Sequence, residues 1–144
     1  MPSAVDTNVF VRFLVDDGSE HVAPARQVFA AGHVFVPMSV VLETDWVLRS
    51  VFGFKRAHIC EALDRVLGVP SITVQDADIV EKAIASSRSG LDFADALHLH
   101  SSSECGVLYT FDGPFIRKAR RIDPLPPVRK PPISKTPGNA ERNP

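Results

Sequence analysis

Apolar residues fall in two kinds of pattern along this chain. Short unbroken runs, Ala4-Val5, Val34-Phe35-Val36, Ser71-Ile72-Thr73-Val74 and Val107-Leu108-Tyr109-Thr110, are the length of buried strands and lack strand-like alternation. Between them lie longer stretches with apolar residues at helical spacing. The first runs from Val9 to Val15. A second, from about Glu20 to Ala31, carries Val22, Ala25, Val28 and Phe29. A third begins at Ser39, which reads as its N-cap with Glu43 in a loose capping arrangement, and ends near Phe52 at Gly53. Lys55 to Leu67 is a fourth, with Ile59, Leu63, Val66 and Leu67 as its stripe and Gly68 as its stop. Asp76 to Ser87, Asp92 to about Glu104, and a short piece from Pro114 to Arg121 complete the set. Pro114 suits an early helical position, where its missing N–H costs nothing.

Strands that alternate with helices and are apolar throughout describe a parallel sheet covered on both faces. The fold class expected is therefore α/β, three layers α/β/α, around a central, mostly parallel sheet of four to five strands. From Asp123 onward the composition changes, with seven of the twelve prolines in that stretch. This divides the chain into a domain over 1–122 and a Pro-rich tail over 123–144. The tail is expected to close an edge strand at Pro126-Pro127-Val128 and to be disordered beyond Lys130, where apolar surface is too sparse to offset ordering entropy.

Composition excludes several classes. At 144 residues, 44 % hydrophobic and 23 % charged, the chain suits one globular domain. No apolar run approaches the roughly 20 residues of a membrane span, and no signal-peptide pattern opens it. Cys60 and Cys105 stand far apart, each within an expected helix, and read as buried thiols in a reducing cytoplasm. The net charge of −1 hides a split. Residues 117–144 hold eight Lys/Arg against two acids, or +6, and the preceding body holds eight against fifteen, or −7.

The acids give that body its chemistry. Asp6 ends the first strand where a helix begins, and Asp112 repeats the arrangement after the last strand of the domain. Carboxyl ends of parallel strands are where open α/β sheets gather ligands. Both positions also suit ordinary helix caps or turns. Asp92 and Asp95 open a helix three residues apart, on one face; Asp92 also suits an N-cap. Glu43 lies early in the apolar third helix, and neither it nor Asp95 has Lys or Arg at i±3 or i±4. In a doubly wound sheet these places are neighbours. Two carboxylates about 4 Å apart repel by about 4 kcal/mol at an effective dielectric of 20, so a convergent set requires a counter-charge. Hard oxygen ligands select Mg²⁺ or Mn²⁺. Zinc is disfavoured, because His21, His33, His58, His98 and His100 form no ligand spacing with each other or with a cysteine pair.

The set Asp6-Thr7-Asn8, Glu43, Asp92-Phe93-Ala94-Asp95-Ala96-Leu97-His98 and Thr110-Phe111-Asp112 resembles the PIN-domain ribonucleases over residues 3 to 122. Within them it is most similar to the VapC-type toxins of bacterial type II toxin–antitoxin pairs. The resemblance implies that Asp6, Glu43, Asp95 and Asp112 form a catalytic, metal-binding acidic quartet. It further implies that Asp92 is an accessory acid and that Thr7 and Asn8 hold the site in shape. It implies metal-dependent hydrolysis of RNA, a cognate antitoxin whose segment fills the acidic pocket, and a homodimer. A negative pocket that must hold a polyanion wants a basic rim, and Arg117, Lys118, Arg120 and Arg121 follow Asp112 closely enough to supply one. The third helix is apolar around most of its circumference, which also calls for a covering partner. Other readings compete. A silent module of the same fold would bind antitoxin or nucleic acid without cutting. An aspartyl-nucleophile phosphatase needs a second Asp where Asn8 stands, and a receiver domain needs an acidic pair where Val5-Asp6 stands.

Overall fold

A computed structural model describes residues 1–122 and 126–133. The expected alternation is present throughout. Strand β1 (Ser3–Ala4) leads into α1 (Thr7–Leu14) and α2 (Val22–Ala31). Then come β2 (Val34–Val36), α3 (Met38–Ser50), α4 (Arg56–Leu67) and β3 (Ile72–Val74). Helices α5 (Ala77–Arg88) and α6 (Phe93–Ser101) precede β4 (Leu108–Tyr109), α7 (Gly113–Arg120) and β5 (Val128–Arg129). Every strand pairing among the described residues is parallel, and the chain forms the three-layer α/β/α architecture expected of it. The strands form a three-stranded sheet in the order β1-β2-β3 and a two-stranded sheet β4-β5. In register, Ala4 lies beside Phe35, Val36 beside Val74, and Tyr109 beside Arg129.

The core follows from the unbroken apolar strands. Val34 and Val36 are fully buried on β2, the central strand of the first sheet, among Phe10, Val41, Leu48, Ile84 and Leu99 from the surrounding helices. Helix α3 packs against α1, α4 and α6, and α5 packs against both α4 and α6. Helix α7 packs on β5. The acid-bearing helices α1 and α6 thus both adjoin α3.

Three local expectations are corrected. Ser39 does not cap α3: Pro37 occupies the N-cap, and no side chain of its own bonds the helix end. The Met38 N–H donates instead to Gln75 Oε1 at 2.9 Å, so the cap comes from the residue that follows β3. Helix α6 ends at Ser101 rather than near Glu104. There Ser102 Oγ donates to the His98 carbonyl at 2.7 Å and its N–H bonds the Leu99 carbonyl, which closes the last turn. Cys105 therefore lies beyond the helix and is exposed, whereas Cys60 is buried as expected. Gly53 follows α3 with φ +70, a left-handed conformation that suits its residue type.

The surplus of apolar surface on α3 is real. Trp46 is 57 % exposed and Val51, just past its end, is 65 % exposed. Of the tail, Val128–Arg129 forms β5, and the stretch expected to be disordered lies, from residue 134 on, outside the described residues.

Candidate active site

Three helix N-termini carry four of the five candidate acids. Asp6 has extended backbone, and its Oδ1 accepts from the Val9 N–H at 3.2 Å, capping α1. Asp112 caps α7 in the same way, accepting from the Phe115 N–H at 3.2 Å. Its own N–H donates to Thr110 Oγ1 at 3.0 Å, which fixes the turn out of β4. Asp92 caps α6, its Oδ2 accepting from the Asp95 N–H at 3.4 Å. The structural role that the sequence admitted for these residues is thus realised. It leaves chemistry available, because a carboxylate has about four acceptor sites and each cap bond occupies one.

Like Asp92, Asp95 in the first turn of α6 is half-buried. Loss of solvent raises its pKa above the ordinary carboxylate value of 3.8, and the like charges of Asp92 and Asp112 raise it further, with His98 and Lys118 opposing from the other direction. The charges of Asp92 and Asp112, at the N-termini of α6 and α7, therefore both reach Asp95. Helix N-termini favour negative charge, but three carboxylates exceed what two helix ends supply.

The remaining predicted residues are more dispersed. Asp6 heads α1, which packs on α3, which in turn packs on α6. Glu43, on α3, is exposed. Among the described residues, neither Asp6 nor Glu43 shares a hydrogen bond or ion pair with the other three acids. Thr7 is the first residue of α1, and Asn8 Oδ1 accepts from Arg12 Nη1 at 3.2 Å, with Arg12 Nε lying 3.5 Å from Asp17. Asn8 and Arg12 also line a cavity of about 410 Å³ between α1 and α2, together with His21 and Val28.

One acid escaped the sequence reading. Asp45, one turn before Arg49 on α3, is only 6 % exposed. Burial raises its pKa, the Arg49 bond lowers it, and the charge of Asp92 raises it again. Arg49 Nη2 donates to its Oδ2 at 3.0 Å. The available signal was that i,i+4 pair, set in a helix whose apolar residues take up most of the circumference.

The donors can be tested against a metal. They are carboxylate oxygens alone, hard ligands suited to Mg²⁺ or Mn²⁺. Asp95 is destabilised in its ionised form by burial and two like charges, the condition a bound cation relieves. The donor chemistry fits. As the side chains stand, no three His, Cys, Asp or Glu among the described residues are close enough to share one ion.

The family model of the PIN domain matches residues 4–121. PIN domains are typically nuclease domains, and the match spans all of the candidate acids. No curated protein matches the chain significantly. Among the described residues no helix is long and apolar enough to cross a membrane.

Proposed function

The chain belongs to the PIN-domain family, and on that premise we propose that it is a Mg²⁺- or Mn²⁺-dependent endoribonuclease, the toxin of a type II toxin–antitoxin pair. The observation that carries this reading is the convergence of the Asp92 and Asp112 charges on half-buried Asp95 at two helix N-termini, opposed there by Lys118 and His98. Asp6, Asp95, Glu43 and Asp112 are the proposed metal and catalytic residues, with Asp92 accessory. A divalent ion bound there supplies an activated water and neutralises charge on the phosphate. The chain's own residues hold and orient: the cap bonds of Asp6, Asp92 and Asp112 lock those carboxylates at their helix ends, and Thr110 fixes the backbone of Asp112. Thr7 and Asn8 shape the start of α1, where Asn8 holds the Arg12 guanidinium.

The partners proposed are RNA as substrate, a cognate antitoxin and a second copy of the chain, in the cytoplasm. The exposed Trp46 and Val51 support a covering partner. One observation favours the alternative, a silent module that binds antitoxin or nucleic acid without cutting: the acids do not share ligand distance as placed. A single assay separates the two. Purified chain is incubated with total RNA with and without Mg²⁺ or Mn²⁺, beside Asp6→Asn. Fragments that need the metal and vanish in the variant are expected. Cleavage by Asp6→Asn equal to the parent would overturn the assignment, and no cleavage by the parent would favour the silent module.

A further inference from the structure

The basic run that follows Asp112 is divided by the fold. Arg117 and Arg120 lie four and seven residues after Gly113, on one stripe of α7. They line a groove of about 350 Å³ with Arg129 and Lys130, which come from β5 and the residue after it. Lys118 acts elsewhere, since its charge is felt at Asp95. Arg121 is the C-cap of α7 and does not line the groove. None of the four groove cations makes an ion pair among the described residues. Like charges gathered at one groove repel, and an anion is what relieves them.

The groove begins beside the acids. Gly113 is the residue after Asp112, and a Cβ there would lie 3.2 Å from Arg117 Nη1. Its absence lets the guanidinium lie against the start of α7. From Gly113 to Arg120 the helix rises roughly 10 Å, enough for a short length of nucleic-acid backbone. A groove of this volume is at the lower end of those that take a drug-sized ligand, room for a short length of one sugar–phosphate chain. Guanidinium groups meet phosphate oxygens in bidentate fashion. Among the described residues no aromatic or carboxylate lines the groove, and such a lining reads charge and not base identity. Exposed aromatics stand alongside. Phe111, next to Asp112, is 82 % exposed, and the exposed Tyr109 is registered beside Arg129. Base stacking on such rings tolerates any sequence.

We infer that the groove between α7 and β5 holds the phosphates of single-stranded RNA as it leaves the acidic site, with Phe111 as a stacking platform for a base. The inference rests on the nuclease reading, and its test keeps the two apart.

A short labelled single-stranded RNA is titrated with the cleavage-deficient variant Asp95→Asn across a salt series. The double variant Arg129→Gln/Lys130→Gln should lower the log–log salt slope by about 1.4, at about 0.7 for each phosphate of a single strand that is no longer neutralised. Arg117→Gln/Arg120→Gln, on the other wall, should do the same and serves if the β5 variant unfolds by its melting curve. Phe111→Ala should weaken binding roughly tenfold with the slope unchanged. Arg65→Gln, which removes a cation paired to Glu61 far along the chain, should leave the slope as it is. Parental binding with both double variants keeping its slope would overturn the groove while leaving the nuclease reading intact. An equal loss of slope on duplex RNA would overturn the single-strand assignment. Displacement of RNA by polyglutamate at lower concentration than by unlabelled RNA would give the groove to an acidic protein partner and overturn the inference. Failure of the parent both to bind and to cut RNA would overturn the nuclease reading itself.

Discussion

Asp45 on α3 and Asp95 on α6 sit in adjoining helices, lose solvent on folding, and feel the charge of Asp92. They differ in one respect. Asp45 accepts a bond from Arg49, one turn on along its own helix, at 3.0 Å. Among the described residues Asp95 has no such partner: burial and then like charges raise its pKa, with Lys118 and His98 opposing. A buried carboxylate with a local partner is part of the scaffold. One without a partner is a standing cost, retained where a ligand offsets it. Burial alone would have ranked the more buried Asp45 above Asp95 as the functional acid; their partners reverse that order.

The largest effect tests this division directly. Asp95→Asn is expected to lower metal-dependent RNA cleavage by about 100-fold or more, measured as initial rate on a defined RNA. The same variant should raise the melting temperature at neutral pH, because it removes a charge that folding disfavours. Asp45→Asn should retain cleavage. If both variants lose it equally, the two acids belong to one functional set and the distinction fails.

Arg49→Ala comes next in size. It leaves the Asp45 carboxylate buried without its partner, while Arg49 itself is 45 % exposed and loses little. The expected cost is about 1–3 kcal/mol, read as a lower urea midpoint with an unchanged m-value. Cleavage by the folded fraction should be unaffected. A neutral result would mean that Asp92 and Arg56, the other charges acting on Asp45, already balance it.

A smaller signature lies in pH. Both acids have native pKa values raised above 3.8, so the folded state holds protons that the unfolded chain has released. Stability contributed by these groups is present below the ordinary carboxylate value and is lost as pH rises through the raised native values. Urea midpoints measured upward from about pH 4 should therefore fall more steeply in the parent than in Asp95→Asn. Identical slopes would mean that Asp95 does not contribute.

Much of this was legible before any coordinates. Val34-Phe35-Val36 and Ile72-Thr73-Val74 announce buried parallel strands because nothing charged interrupts the faces that helices cover. Asp6 and Asp112 are readable as cap and candidate ligand at once, since the same local geometry serves both. What eluded the sequence depends on contacts between distant segments. Gln75 capping α3 could not be read from residues near Ser39. The groove pairing Arg117 and Arg120 with Arg129 and Lys130 exists only because β5 lies beside β4 and packs on α7. A run of cations in sequence reads as one patch until a helix points its members in different directions.

The mildest prediction turns the comparison over. His100 of α6 is half-buried, with Nε2 2.7 Å from Ser86 Oγ of α5. Burial lowers its pKa below 6.5, aided by the charge of Lys82. Burial penalises charge whichever its sign, so it opposes ionised Asp95 at neutral pH and protonated His100 in acid. Stability linked to His100 is present above the ordinary imidazole value and is lost as pH falls through the depressed native one. His100→Gln keeps a hydrogen-bonding group toward Ser86 but cannot titrate. Its urea midpoint should match the parent at pH 7 and exceed it slightly as pH drops below 6.5. The Asp95→Asn advantage should shrink over the same descent, because the parent regains the proton on Asp95. The two variants therefore move apart from the parent in opposite directions along the pH axis. Parallel curves would mean that α6 responds to acid as a unit and not through these two side chains.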